Sequence, residues 1–481
     1  MTPLHRLPML SRPGPQIALA TASSAAVGIV WFLTREPVGS VVAFGLIALP
    51  LFNAPFELCL GFIVLSHFRL PEVFPVLRPF RLPELAAIAC LAALIWHLAV
   101  TRRIRLFWCS ELTLITVFFV LMTIGVVTAV DRPLALAFWS GYFVKVAAMT
   151  FAVAWLARGP KEFATVTWAV TLAGLAVGCV ALWNKIHGIG LVEGTRVTIG
   201  RDIGSILGDP NDLALTLLFP TAFALGLAFT HGIPKAGRWF GAASFIILVL
   251  AILATQSRGG VMGLLAVLVP FVGRRVKSKM LLVVVAIAVG GVLFVAADIG
   301  DRATVGDVSE IDESAMGRLN AWKTAFNMAL HRPLTGVGVD NFAGQYYFFT
   351  DQWAGKGLAA HSVWFQVLGE TGFVGLAVYL SMLGVTASKL LRAGRRLQSR
   401  DADPAVRAIA SALVAGLAGF AVSGTFLSQA YGWPAFLLLA LSIAISRFGA
   451  SGNIGGTPHT PGAWAPPVAA APSPAPRNNR Q

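Results

Sequence analysis

The sequence predicts an all-α polytopic membrane protein with about 12, and up to 14, transmembrane helices and one large external loop that contains amphipathic helices. Of its 481 residues, 56% are hydrophobic and only 12% are charged, well outside the usual composition of soluble domains. Apolar runs of bilayer length recur along the chain, and no alternating strand pattern accompanies them. Because backbone in lipid must satisfy its own hydrogen bonds, these runs are expected to be helices rather than barrel strands.

The predicted spans follow from the apolar runs in chain order. A stretch at 38–68 adds one or two crossings, because Asn53 and Pro55 divide it into pieces that are each short for a full span. The remaining runs lie at residues 16–34, 84–100, 111–130, 134–157, 163–184, 211–230, 238–255, 259–273, 280–297, 362–390, 405–425 and 430–447.

The runs also predict how the chain is divided. The predicted parts are a cytoplasmic N-terminus at 1–15, a helical bundle at 16–297 with an external loop at 185–210, a large external loop at 298–361, C-terminal membrane helices at 362–450, and a cytoplasmic tail at 451–481. The tail is rich in Pro, Ala and Gly, a composition typical of disorder.

The net charge of +15 reflects membrane topology rather than nucleic-acid binding. The basic residues are not gathered in a soluble domain with base-stacking aromatics, so we expect no nucleic-acid partner. They fall in alternate connections between spans, which is the pattern of cytoplasmic loops. These clusters lie at residues 102–105, 158–161, 235–238, 274–279 and 389–400.

The four cysteines predict neither a disulfide nor a zinc site. They lie in or beside apolar helices and form no CxxC pair. No cofactor is expected from the sequence.

If the basic connections are cytoplasmic, the most unusual polar segments share the opposite face: 185–210, 255–259 and 298–361. The first of them contains Arg196 and Arg201 just before a helix start at Pro210 and Asn211, where amide dipoles favour an anion. Two arginines in a short external loop run against the positive-inside bias, although a loop with a helix cap also explains the segment.

The second segment, TQSRGG at 255–260, places Arg258 between two apolar runs. An arginine near bilayer depth is costly unless it is paired or snorkels to the surface. A guanidinium also binds phosphate oxygens in a fork, so Arg258 is a candidate for holding a lipid-borne phosphate.

The large loop begins with an acidic run, for which a solvated surface is the simpler interpretation and a divalent metal the weaker alternative. Residues 316–331 then predict an amphipathic helix on the membrane or on the bundle, with Arg318 beside the stripe Leu319, Trp322, Phe326 and Leu330. A Gly-rich turn with Asp340 and Asn341 follows.

His361 stands where the chain re-enters the membrane. A histidine at a helix start is often only a cap, but imidazole titrates near neutral pH and can act as a general base for a hydroxyl. Glu370 lies nine residues further on, more than two helical turns away, and is expected to pair with an arginine rather than to orient His361.

Together these motifs resemble the O-antigen ligase and polymerase superfamily, which includes bacterial O-oligosaccharyltransferases. The resemblance covers the chain after about residue 190, whereas the first 180 residues are similar only in hydropathy. Its residues are Arg201 with GDPNDLA at 208–214, SRGG at 257–260, Arg318 with Trp322, PLTGVGVDNF at 333–342 and HSVWFQVLGETGFVG at 361–375.

The resemblance implies a glycosyltransferase of the bacterial inner membrane that acts at the periplasmic face in lipopolysaccharide biosynthesis, inverting and without a metal. It would move a glycan from undecaprenyl diphosphate to an acceptor hydroxyl, that of the lipid A core in the ligase branch. Arg201, Arg258 and Arg196 would bind the diphosphate, while Arg318 assists and His361 orients or deprotonates the acceptor. Supporting roles would go to Asn211, Asp340, Asn341 and Glu370.

Several alternatives stay open at the level of sequence. The polymerase branch transfers the glycan to another lipid-linked repeat, and the third branch transfers it to a protein Ser or Thr. Ser362 follows His361 where many relatives carry Asn, which leaves the branch undecided. The loop from Glu313 through Phe342 also resembles ligases found near exopolysaccharide and exosortase systems, which adds a non-lipopolysaccharide acceptor as an alternative. A transporter of lipid-linked sugars is a further alternative, but such proteins show repeated halves and broken helices at mid-membrane.

Overall fold

The computed structural model describes residues 53–102, 104, 106–273, 291, 308–353, 357–398 and 402–451. For residues 308–315 it describes the backbone alone. The predicted span at 16–34, the predicted span at 280–297 apart from residue 291, residues 298–307 at the start of the large loop and nearly all of the tail lie outside the described residues.

The described part of the chain is helical, and its only β-type pairing is an isolated bridge between Val192 and Arg196. Nine of its helical segments are long and apolar enough to cross a membrane, and two more apolar helices are shorter. This confirms an α-helical membrane protein. The predicted count of about 12 crossings includes runs outside the described residues.

The helices are numbered here in chain order. They are α1 (Pro55–His67), α2 (Leu82–Ile95), α3 (Ser110–Thr128), α4 (Arg132–Phe138), α5 (Val144–Leu156), α6 (Pro160–His187), α7 (Pro210–Phe229), α8 (Lys235–Ala254), α9 (Arg258–Val272), α10 (Val308–His331), α11 (Phe342–Phe349), α12 (Val363–Leu397), α13 (Pro404–Ser423) and α14 (Trp433–Ala450). A π-helical turn, Trp139–Phe143, joins α4 to α5 in one continuous span.

Several helices begin with an Asp-containing cap followed by proline. The side chains of Asp131, Asp209 and Asp403 each accept a hydrogen bond from a backbone amide in the first turn of α4, α7 and α13. Proline stands at the first or second helical position, where its missing N–H costs nothing. The predicted helix start at Pro210 is confirmed.

Helix α7 is the centre of the bundle, and almost all of its side chains are buried. It contacts α6, α8, α9 and α13. Close approach is possible because small residues face it: a Cβ at Gly174 would lie 2.1 Å from the Pro220 Cβ, and one at Gly226 would lie 2.7 Å from the Ala408 carbonyl oxygen. The middle and the last turns of α7 therefore pack closely against α6 and α13.

Helix α10 packs on α12, one of the two placements that the sequence left open. Its buried side chains include Ala321, Ala325 and Met328, and they form a second core with α11. Of the predicted stripe, Trp322 stacks on Phe365 with ring centroids 5.0 Å apart. Leu319, Phe326 and Leu330 are exposed. The helix lies on the bundle and presents a second apolar face outward.

The Gly-rich turn before α11 fills a break in α12. Gly372, inside α12, has the non-helical angles φ 70° and ψ −171°. The freed carbonyls of Gly369 and Glu370 accept hydrogen bonds from Val337 N–H at 2.9 Å and Gly338 N–H at 3.1 Å. Phe373 N–H in turn donates to the Pro333 carbonyl at 2.9 Å. The two predicted motifs, 333–342 and 361–375, thus interlock through backbone atoms.

Replacing Gly336 with alanine is expected to destabilise this junction by at least about 2 kcal/mol. Gly336 has φ 61°, and a Cβ there would lie 2.4–2.5 Å from backbone atoms of residues 369–371, which cannot move aside independently. Thermal denaturation in detergent measures the effect. Gly344→Ala is the matched control, since a Cβ at Gly344 meets nothing within 4 Å. Equal stability of the two variants would contradict the interlock.

Candidate functional site

The three polar segments that the sequence placed on one face do lie at one end of the bundle. The loop before α7 and the turn between α8 and α9 are joined directly: Val197 N–H donates to the Ala254 carbonyl at 3.2 Å, and the Thr195 hydroxyl donates to Gln256 Oε1 at 2.8 Å. His361, at the end of the large loop, contacts Ser428 in the connection between α13 and α14. That connection is a fourth segment at the same end.

Arg196 is built into the wall of the site rather than exposed on it. The residue is buried, its Nε donates to the Thr255 carbonyl at 3.2 Å, and its Nη2 donates to Asn211 Oδ1 at 3.1 Å. The same Oδ1 accepts from the Ser257 hydroxyl at 2.8 Å. Asn211 therefore fixes the start of α7 to the start of α9, and Arg196 lies buried behind both with its Nη1 3.6 Å from the Glu193 carboxylate.

Arg258 is the first residue of α9 and is exposed. Ser257 caps the helix by accepting a hydrogen bond from Gly260 N–H at 3.1 Å. A Cβ at Gly260 would lie only 2.7 Å from the Ala214 Cβ, so the SRGG motif allows α9 to begin directly against α7. The guanidinium of Arg258 consequently sits at a helix N-terminus, where the amide dipoles add to its positive charge.

Arg201 lies beside Gly208, the residue before the Asp209 cap of α7. It is exposed on a 3-10 turn, and its Nη1 donates to the Gly208 carbonyl at 3.4 Å. A Cβ at Gly208 would lie 2.8 Å from the Arg201 Cα, so this glycine permits the close contact. Arg196, Arg201 and Arg258 therefore all lie next to the first turn of α7.

Asp209 belongs to the site in the structure, although the sequence-based prediction did not include it among the site residues. Its carboxylate caps α7, accepting from Asn211 N–H at 2.7 Å and Asp212 N–H at 3.2 Å, and the residue is exposed. It also acts electrostatically on His361. An Asp-Pro pair before a helix signals a cap, but its proximity to a histidine 152 positions later is set by tertiary packing alone.

His361 is held by its backbone and remains accessible to a substrate. It has a left-handed φ of 47°, its N–H donates to the Ser428 hydroxyl at 2.7 Å, and it is half-buried. Burial lowers the pKa of its imidazole, the positive charge of Arg318 on α10 lowers that pKa further, and Asp209 opposes the shift. The neutral imidazole, which can accept a proton, is therefore favoured near neutral pH.

Asn341 has a structural role in the fold. Its Oδ1 accepts from Asp131 N–H at 2.7 Å, and its Nδ2 donates to the carbonyls of Asp131 at 3.1 Å and Val339 at 3.0 Å. This pins the Gly-rich turn to the start of α4. Asp340 beside it is exposed and has a left-handed φ of 58°.

Glu370 is buried beside the Tyr431 hydroxyl, and the Asp340 carboxylate acts on it electrostatically. The sequence predicted an arginine partner, and none of the contacts found for Glu370 in the described residues involves one. Glu370 belongs to the support of the site rather than to its cationic surface.

The connection between α13 and α14 was not predicted to contribute. Ser428 holds His361, and Ala430 N–H donates to Gln366 Oε1 at 3.2 Å. Its sequence, LSQAYG at 427–432, contains no charge and lies between two apolar runs, so hydropathy alone gives no signal.

The described residues contain no group of three or more His, Cys, Asp or Glu side chains arranged to hold a metal ion. The side chains of Glu310, Asp312 and Glu313, the weaker metal candidates, lie outside the described residues. The described side chains at this end of the bundle offer guanidinium groups, helix N-termini, the Asp209 carboxylate and the imidazole of His361.

Comparison with known families gives a match at the centre of this arrangement. Residues 243–380 match the model of a family described as O-antigen ligase. The range includes Arg258, Arg318 and His361, while Arg196 and Arg201 precede it. A search of curated proteins finds no match. The family match confirms the resemblance drawn from the motifs and supports a ligase- or polymerase-type role in glycan assembly.

Proposed function

We propose that this member of the O-antigen ligase superfamily is a glycosyltransferase that moves a glycan from undecaprenyl diphosphate to an acceptor hydroxyl, that of the lipid A core. The reaction takes place at the periplasmic face of the bacterial inner membrane, in lipopolysaccharide biosynthesis. One observation carries the proposal: His361, Arg318 and Asp209 interact at the same end of the bundle where three arginines surround the start of α7.

The arginines act on the leaving group. When the bond between the anomeric carbon and the diphosphate oxygen breaks, negative charge develops on that oxygen. Arg258 and Arg201 are exposed and neutralise the charge by direct contact. Arg196 contributes from its buried position, and the amide groups at the start of α9 add a fixed positive potential.

His361 acts on the acceptor. Its neutral imidazole takes the proton of the acceptor hydroxyl while the hydroxyl oxygen forms the new bond to the anomeric carbon. Arg318 keeps the imidazole neutral in the resting site and helps to hold donor charge. Attack opposite to the departing diphosphate inverts the anomeric centre in a single displacement. No metal ion takes part in this scheme.

Transfer by purified protein in detergent tests the proposal. The assay combines the full chain with undecaprenyl-diphosphate-linked glycan and lipid A core in the presence of EDTA. Formation of glycosylated lipid A is the expected result. Absence of transfer unless vesicles are present would instead favour transport of the lipid-linked sugar, and strict dependence on a divalent ion would redirect attention to Glu310, Asp312 and Glu313.

A polymerase shares the donor chemistry and differs in its acceptor. The Ser362 that follows His361 is the sequence feature that leaves the polymerase open as an alternative. The lipopolysaccharide of a deletion strain separates the two. A ligase deletion leaves lipid A without any polymer and carrier-linked polymer accumulates. A polymerase deletion leaves lipid A capped with a single repeat.

The pH dependence of kcat/KM is expected to report the titration of the His361 imidazole. Because the pKa of the imidazole is lowered, activity should persist at neutral pH and fall only below the ordinary histidine value of about 6.5. Arg318→Gln removes a positive charge that lowers the pKa of His361, so this acidic limb should move to higher pH.

Asp209→Asn should move the same limb to lower pH, because it removes a charge that raises the pKa of His361 while asparagine still caps the helix. Lys323→Gln, an exposed position on the same helix as Arg318, serves as the control and should leave the profile unchanged. Shifts of the same sign in the two test variants would exclude His361 as the titrating group.

A further inference from the structure

The side of α10 that faces away from α12 carries a row of large apolar side chains, here called the outer stripe. Its members are exposed and recur at helical spacing, with the last one just beyond the helix: Met316, Leu319, Phe326, Leu330 and Leu334. Between residues 316 and 330 the only other exposed residue is Lys323, which pairs with Asp351 at 2.5 Å. A contiguous apolar surface of this kind marks an interaction site rather than a face that water covers.

The outer stripe is continuous with the exposed apolar surface of α12. The Phe326 and Phe373 rings meet edge to face, with centroids 6.0 Å apart. From Phe373 the exposed apolar row runs along α12 to Leu380 and Leu391, and α12 is long and apolar enough to cross a membrane. On a crossing helix, the apolar side that packs against no other helix faces lipid. The outer stripe is therefore joined directly to a surface that lies in lipid.

The depth of the outer stripe follows from the length of α12. Near its end, Lys389 pairs at 2.6 Å with Glu111 at the start of α3, and the basic residues around Lys389 are those predicted to be cytoplasmic. Counting back about 20 residues, the length that crosses a hydrocarbon core, reaches the opposite boundary close to Gly372. Phe373 lies next to this boundary, and Phe326 is in contact with it.

Helix α3 gives the same level by an independent route. It starts beside Lys389 and has 19 residues, close to the length of one crossing, so its last residue, Thr128, marks the opposite boundary. The Thr128 carbonyl accepts a hydrogen bond from Arg332 Nη1 at 2.9 Å. Leu330 and Leu334 stand two residues before and two residues after Arg332, so they lie at this level as well.

We propose that the outer stripe inserts into the bilayer boundary at the site end of the bundle, so that the partner of this face is membrane lipid. One side of α10 then packs on α12, and the other lies among the upper parts of the acyl chains. Lys323 fits this placement, because its methylene stem can lie along apolar surface while its ammonium group stays with Asp351 among the headgroups.

The consequence is that the large loop is attached to lipid as well as to the bundle. Arg318 directly precedes Leu319 of the outer stripe, so the height of its guanidinium above the bilayer is fixed by this attachment. The placement holds whichever reaction the protein performs.

Fluorescence quenching in vesicles tests the placement. The full chain is labelled with bimane at a single cysteine and placed in phosphatidylethanolamine and phosphatidylglycerol with a phosphatidylcholine brominated on the upper part of its acyl chains. Cys109→Ala and Cys179→Ala remove the accessible thiols, and the two cysteines that remain are buried.

The reporters are Leu330→Cys and Leu334→Cys. These side chains are 56% and 68% exposed, so the label disturbs no packed core, and either reporter serves if the other does not fold. At both positions brominated lipid should quench several-fold more strongly than iodide added to the water, because the label lies among acyl chains.

Gln352→Cys, at an exposed polar position of the same loop, is the control and should show the reverse order of quenching. Iodide quenching at 330 and 334 as strong as at 352 would place the outer stripe in water. Shielding of both reporters from both quenchers would show that a protein surface covers the stripe. Either result would overturn the membrane placement.

Discussion

Replacing Arg258 with alanine is expected to slow glycan transfer by about 10²–10³-fold, the cost typical of losing one group that stabilises a developing anion. Arg258 is exposed at the first position of α9, so its removal breaks no contact that the helix needs. The initial rate with lipid-linked donor, measured for protein that elutes and melts like the wild type, gives the effect. Arg258→Lys should recover part of the rate, since lysine keeps the charge but lacks the guanidinium fork.

Arg132→Ala is the matched control for this experiment. Arg132 is likewise exposed, begins α4 after an aspartate cap, and lies at the same end of the bundle. Any general effect of removing a cation from a helix start should therefore appear in both variants. Equal rates for Arg132→Ala and Arg258→Ala would show that Arg258 does not bind the diphosphate.

Replacing His361 with asparagine is expected to reduce transfer by about 10²–10⁴-fold, the range for loss of a general base. Asparagine is chosen because it tolerates the left-handed φ of 47° at this position, whereas alanine adds backbone strain to the chemical loss. The backbone bond to Ser428 does not involve the side chain and should persist. Binding of the donor should be nearly unchanged, so the loss is expected in kcat rather than in KM.

His187→Asn controls for the substitution itself. His187 ends α6 at the same end of the bundle, is exposed, and stacks on Trp183 outside the site. This variant should retain full activity. A His361→Asn protein with wild-type kcat would end the assignment of a general base, and the arginines alone would then carry the catalysis.

The sequence predicted the helical membrane fold because hydrophobic length and composition are local properties. It also predicted which polar segments share an end, because the distribution of Lys and Arg determines the direction of each span. The hydrogen bond from the Thr195 hydroxyl to Gln256 Oε1 joins two of these segments and agrees with this prediction. The compartment faced by that end remains a prediction.

Side-chain partners were predicted less well, because they depend on packing between distant parts of the chain. Arg196 has the same residue type as Arg258 and lies in a similar loop, yet it is buried against Asn211 and Thr255. Glu370 was predicted to pair with an arginine and lies beside Tyr431 instead. Spacing along the chain could not reveal either result.

The packing face of α10 is a further feature that hydropathy alone does not determine. Hydropathy selects large apolar residues such as Leu319 and Leu330, but α10 meets α12 through Ala321 and Ala325, where small side chains allow close approach. Helices in or near a membrane associate mainly by close packing, because lipid is as apolar as leucine. A hydrophobic stripe therefore predicts an exposed face in such a helix as readily as a buried one.

The start of α12 has a mechanical consequence. The first turns of α12 take part in two cores at once, because Phe365 packs against the second core while Val363 and Val367 are buried in the core of the bundle. Trp364 Nε1 also donates to the Thr425 hydroxyl at 3.1 Å. This stretch directly after His361 therefore couples the large loop to the bundle, so a change in the packing of the loop would be felt at the histidine.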